Sequence, residues 1–168
     1  TINTIRAWSK SKNLTPSQEY NRQVIYQAIL IMSNALCRIG ELKKLRWMDL
    51  EPNTNLSKED QKIGHLIRVR AEATKVGEAR TISSPTTKHF PIIRELSGIP
   101  KYKGPFPNIP PDRRSDFVFS KFNKPDQPLG QGTWDRCWSS IKELCSERYW
   151  NQKNITWYSF RHTGISFA

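Results

Sequence analysis

The sequence predicts a mainly α domain with one small antiparallel β-sheet, an α+β fold of about five helices. Apolar residues recur at three- and four-residue spacing in two long segments. These are Val24, Ile25, Ala28, Ile29, Met32 and Leu36, and then Trp134, Cys137, Trp138, Ile141, Leu144 and Cys145. Between Ile63 and Ser83 that period gives way to strand-like runs. The length, 168 residues, suits one core rather than two.

The elements follow in order. Residues 1–14 are polar and basic, with Lys10 and Lys12 close together, and read as an arm or interdomain linker rather than core. Thr15-Pro16-Ser17-Gln18 starts a helix, with a capping Thr, Pro at the first helical position and Gln three residues after the cap. That helix runs to about Leu36. Ile39, Leu42 and Leu45 repeat its spacing and predict a second, short helix ending near Trp47. Leu66 to Arg70 and Ala79 to Ile82 then flank Lys75-Val76-Gly77-Glu78, which gives a hairpin with Lys75 at its turn. Ser84-Pro85 begins another helix that Gly98 ends, with Pro91 inside it. Pro100, Pro105, Pro107, Pro110 and Pro111 make the next stretch an extended surface loop. Thr133 caps the helix bearing Trp134 and Trp138, and Thr156 precedes a final segment from Trp157 to Ala168. Residues 15–168 thus form one domain.

Composition limits what such a domain does. Lys and Arg number 27 against 15 Asp and Glu, a net charge of +12, with a pI near 9.9; this balance suits a polyanionic partner. Hydrophobic residues at 36%, six Trp among them, exclude a disordered basic tail, which lacks groups to bury. Three Cys without a C-x-x-C suggest neither a disulfide framework nor a zinc site, and point to a reducing compartment. The apolar stretch around Val24 to Met32 is too short for a membrane span, and Thr1 to Lys12 has no signal-peptide core. The expected location is therefore cytoplasmic. No phosphate loop, dinucleotide fingerprint, H-E-x-x-H or G-x-S-x-G occurs, so no nucleotide or other cofactor and no metal is expected.

Basic residues also stand in apolar context. Arg38 lies between Leu36-Cys37 and Ile39, and Arg161 follows Trp157, Tyr158 and Phe160. Burying a guanidinium is costly unless an anion meets it. The paired cations Lys43-Lys44, Arg68/Arg70, Lys101/Lys103, Arg113-Arg114 and Lys121/Lys124 are dispersed along the chain, as suits a surface that tracks a nucleic-acid backbone.

Three segments, in order, resemble the tyrosine recombinases, or phage-type integrases. Asn34 to Leu50, NALCRIGELKKLRWMDL, is similar to the first arginine box, R-[IVP]-x-E-L leading to L-x-W-x-D. Ala73 to Ile82, ATKVGEARTI, resembles the lysine-bearing hairpin T-K-x-x-x-x-R, and Tyr158-Ser159-Phe160-Arg161-His162-Thr163 resembles the second box, H-x-L-R-H-T. The resemblance spans Thr15 to Ala168. It implies a catalytic domain in which Arg38 and Arg161 hold the non-bridging oxygens of a scissile DNA phosphate. Lys75 would protonate the departing 5′ oxygen, and Glu41 and His162 would support the arginines. Lys43, Lys44 and Arg80 are candidates for DNA-backbone contact. Tyr158 stands where the family has His, and a phenol donates a hydrogen bond but is a poor base near neutrality. The nucleophilic Tyr lies downstream of the second box in the family and is expected beyond residue 168. Double-stranded DNA is the implied partner, with a homotetramer on DNA and a monomer for the present residues. A prokaryotic or phage origin and a nucleoid-associated place follow from the same resemblance. The alternative is a degenerate recombinase that binds DNA without cutting it.

Overall fold

In a computed structural model of the chain, the described residues are 2–57, 59, 65–84, 88–100, 102, 108–149 and 156–160. Side chains of α5 are described as far as residue 145. The order is α1 (Ile2–Ser9), α2 (Pro16–Ala35), α3 (Ile39–Lys43), β1 (Leu50–Pro52), β2 (His65–Val69), β3 (Arg80–Ser84), α4 (His89–Leu96), β4 (Ser120–Lys121), β5 (Lys124–Pro128) and α5 (Gln131–Tyr149).

Helix α2 starts as its sequence dictates. The Gln18 N–H donates to Thr15 Oγ1 at 3.3 Å while the Thr15 N–H donates to Gln18 Oε1 at 2.9 Å, and Pro16 takes the first position. Val24, Ile25, Ala28, Ile29 and Met32 are fully buried, so α2 is the central rod. Helices α1, α4 and α5 and strand β3 pack around it. At its end Leu36 adopts a left-handed conformation (φ 55°), which stops the helix and turns the chain so that Arg38 opens α3.

Strands β1, β2 and β3 form one antiparallel sheet, with Leu50 opposite Ile67 and Ile67 opposite Ile82. His65, Ile67 and Val69 alternate inward, as period-2 burial requires. His65 meets Phe90 of α4 edge-on at 4.6 Å between ring centroids, which ties the sheet to the helical layer. The hairpin carrying Lys75 is therefore present, and mixed α with a small antiparallel sheet is the observed class.

Several local expectations are corrected. The N-terminal segment is not an arm: α1 buries Ile5 and Trp8, and the Trp8 indole donates to Ser140 Oγ of α5 at 2.9 Å. Its two anchors are sparse among polar residues, so no long apolar period announces them. The second helix ends at Lys43, and a 3-10 turn at Trp47–Asp49 replaces its expected tail. Ser84 belongs to β3 and α4 begins only at His89, where Pro91 occupies the first turn and needs no N–H partner. A second sheet, β4–β5, was not expected; Asn123 (φ 56°) makes its tight turn. Residues 157–160 form a helical turn whose Trp157 stacks on Trp138 at 4.6 Å, and Phe160 is buried against the same ring. Of the proline-rich loop, residues 101 and 103–107 lie outside the described residues. Among the described residues no helix is long and apolar enough to cross a membrane.

Two outcomes follow. Trp8→Ala is expected to lower stability by about 3 kcal/mol in urea denaturation, where loss of a solvated arm residue would change nothing measurable. His89, whose Nδ1 lies 2.7 Å from Gln27 Oε1, is held below its ordinary pKa by burial. Its neutral form therefore stabilises the fold above about pH 6.5 and that contribution is lost as pH falls below it. His89→Gln should flatten the decline in thermal midpoint between about pH 7 and 5.

Candidate functional site

Two short helical starts share one local design. In Arg38-Ile39-Gly40-Glu41 the Arg38 N–H donates to Glu41 Oε2 at 2.7 Å. In Arg46-Trp47-Met48-Asp49 the Arg46 N–H donates to Asp49 Oδ2 at 2.8 Å. Each carboxylate thereby caps the turn it stands in, as an acid in the first turn of a helix does. Glu41 and Asp49 are each only 3% exposed, so each needs cationic partners.

The partners come from the hairpin. Arg80, at the start of β3, places NH2 at 2.9 and 2.8 Å from the two Glu41 oxygens, and Arg38 NH1 lies 3.2 Å from Oε1. Arg70, just after β2, sets Nε 3.0 Å from Asp49 Oδ1. It also pairs through NH1 with Glu72 at 2.6 Å and through NH2 with the Lys44 carbonyl at 2.9 Å. Lys44 Nζ returns the contact to the Glu72 carbonyl at 2.6 Å. The loop between Arg70 and Arg80 is thus anchored at both feet to the segment 38–49.

Lys75 sits on that loop, exposed. Thr74 braces it by donating to the Ala71 carbonyl and accepting from the Glu78 N–H, and Gly77 supplies the positive φ of 74° that the turn needs. Lys43, on the other side of α3, reaches α5: Nζ lies 2.8 Å from Gln131 Oε1 and 5.5 Å from the centroid of the Trp134 ring. Burial there lowers the Lys43 pKa, and Asp135 pulls against that fall. Trp134 in turn meets Trp157 at 5.7 Å, beside Tyr158, which is half exposed. Arg38 and Arg80 thus meet on Glu41, Lys44 touches the loop that bears Lys75, and Lys43 on the other side of α3 leads through Trp134 to the turn bearing Tyr158. Arg161 and His162 lie outside the described residues.

No family model matches this chain, and no curated protein matches it. Among solved structures it is similar to one titled as the Tn1549 transposon integrase in complex with circular intermediate DNA. The identity is 22% and the TM-score 0.47, over 94% of this chain and 53% of that one, so this chain spans about half of that structure's length.

Several cations expected on a free basic face are committed to carboxylates instead. Arg68 pairs with Glu51, Arg70 with Asp49 and Glu72, and Arg113 with Asp116. Arg80 serves the hairpin foot through Glu41. The role of Asp49 and Arg70 as a second latch went unread in the sequence, although the R-x-x-E spacing at 38–41 recurs as R-x-x-D at 46–49. That repeat was the available signal.

Glu41→Gln should destabilise the fold by about 3 kcal/mol, since it leaves two arginines without their shared counter-charge. A double-mutant cycle with Arg80→Met should show coupling of about 1–3 kcal/mol in denaturant unfolding. Arg70→Met should speed tryptic cleavage after Lys75 about tenfold, for a latch contributing about 1.4 kcal/mol; unchanged cleavage would mean the loop does not depend on it.

Proposed function

We propose that this chain is a DNA breaking-and-rejoining domain of the tyrosine-recombinase class, acting in site-specific recombination at a mobile element. The observation that carries the reading is the Glu41 cluster, which fixes Arg38 beside the foot of the loop that bears Lys75. A permanently charged fork held by a buried acid, with an exposed lysine on the loop whose foot binds the same acid, suits phosphate handling.

In the proposed reaction Arg38 and Arg161 hold the two non-bridging oxygens of the scissile phosphate and stabilise the charge that grows on them. A tyrosine hydroxyl gives up its proton to solvent and attacks phosphorus, forming a phosphotyrosine ester and breaking the bond to the 5′ oxygen, which Lys75 protonates. The ester conserves bond energy, so the scheme needs neither metal nor nucleotide. Tyr158 donates a hydrogen bond to the phosphate, His162 braces Arg161, and Lys43 and Lys44 contact the DNA backbone. No tyrosine of this sequence lies in a segment that matches the nucleophile. A homotetramer on paired duplex sites is the proposed working assembly, in the cytoplasm on the nucleoid, with the present residues monomeric alone. One observation favours a second reading: Tyr158 replaces the usual His, so a domain that binds duplex without cutting it is the alternative.

Intact-mass spectrometry of the gene product after incubation with a nicked suicide duplex tests the proposal. A covalent DNA adduct that Arg38→Gln slows about 100-fold or more is the expected result. Duplex binding that weakens steeply with salt, without adduct, would leave the second reading; no duplex binding would overturn both.

A further inference from the structure

We propose that an open cavity between α1, α2 and α5 is a second anion site, which takes one phosphate group. It stands apart from the Glu41 cluster and does not depend on the function proposed above. The cavity measures about 330 Å³, and its working residues are Ser17, Arg22, Thr133, Arg136 and Cys137, with Trp8 as its floor. That size falls at the small end of ligand sites, about 300–1,000 Å³, and suits a hydrated oxyanion or a phosphate ester.

Charge is the first argument. The lining has two guanidinium groups and no carboxylate. Arg22 donates to the Trp8 carbonyl at 3.2 Å and to Ser11 Oγ at 2.8 Å, while Arg136 donates to Thr133 Oγ1 at 3.2 Å. All three acceptors are neutral, and among the described residues neither arginine forms an ion pair. Glu143 lines only the adjoining hollow, on which Arg22 also borders. Two guanidinium groups lining one cavity, neither ion-paired among the described residues, attract an anion.

Preorganisation is the second. Arg22 lies 5.0 Å over the Trp8 ring, and that ring is fixed by its bond to Ser140, so the guanidinium is held before any ligand arrives. Both arginines act on one point: burial pushes the Cys137 thiol up, and the charges of Arg22 and Arg136 pull it back. Thr133 accepts from Arg136, so its own O–H remains to donate into the cavity. Ser17 and Thr133 stand in the first turns of α2 and α5, whose positive ends add to the attraction.

Cys137 gives the readout, because Cys37 and Cys145 are fully buried and Cys137 is not. Its alkylation by iodoacetamide is followed by mass spectrometry at constant ionic strength, with chloride as the balancing anion. The probes are inorganic phosphate and a short DNA duplex, and each rate is compared with the same variant's rate in chloride alone. Inorganic phosphate is expected to slow alkylation several-fold and saturably, with the half-effect concentration at least tenfold higher in Arg136→Gln. Protection by duplex alone, lost in Arg136→Gln, would keep the site and assign its phosphate to a nucleic-acid backbone. No protection by either probe, or protection unchanged in Arg136→Gln, would overturn the proposal.

Discussion

A carboxylate that is almost wholly buried survives in a protein only where cations and N–H donors replace its water. Glu41 and Asp49 meet that demand in the same way, each taking one N–H from its own helical turn and one arginine from the β2–β3 hairpin. The consequence reaches beyond local stability. Two elements distant in sequence, the segment 38–49 and the hairpin, are fixed against each other by charge as well as by the apolar contacts of Leu50, Ile67 and Val69. Arg38 and the Arg80 foot of the loop bearing Lys75 are thereby held to the same carboxylate. Lys43, on the other side of α3, links the segment to α5 through Gln131 and Trp134.

Long elements were legible in the sequence because their signals are redundant. Helix α2 has a cap, a proline, a glutamine and a complete apolar stripe, all of which agree, and the structure forms it from Pro16 to Ala35. The hairpin was legible from its alternation about Gly77. Helix α1 was not, since Ile5 and Trp8 anchor it through contacts with α2 and α5 that no local pattern encodes. Strands β1 and β4 are three and two residues long, too short to carry a period, β5 (Lys124-Pro125-Asp126-Gln127-Pro128) has two prolines and no hydrophobic alternation, and Ser120 is held by the Tyr20 hydroxyl from a hundred positions away.

The site divides along the same line. Arg38 and Glu41 were readable as a unit because their partnership is three residues long and falls within one turn. Arg70 and Asp49 were not, because their pairing joins the start of β1 to the end of β2 across 21 positions, and a basic residue at a strand end looks the same in sequence whether solvent or a buried acid meets it. Part of the positive charge is thus taken up within the fold, through Arg70, Arg80 and Arg113 and the more exposed Arg68.

Hydrogen exchange of the chain with and without duplex tests most directly whether the buried carboxylates organise a duplex-facing surface. The account predicts that duplex slows exchange in residues 38–44 and 71–79 together, and that Glu41→Gln abolishes the joint protection while the Asp49 latch stays closed. Protection confined to other segments, or joint protection that survives Glu41→Gln, would contradict it.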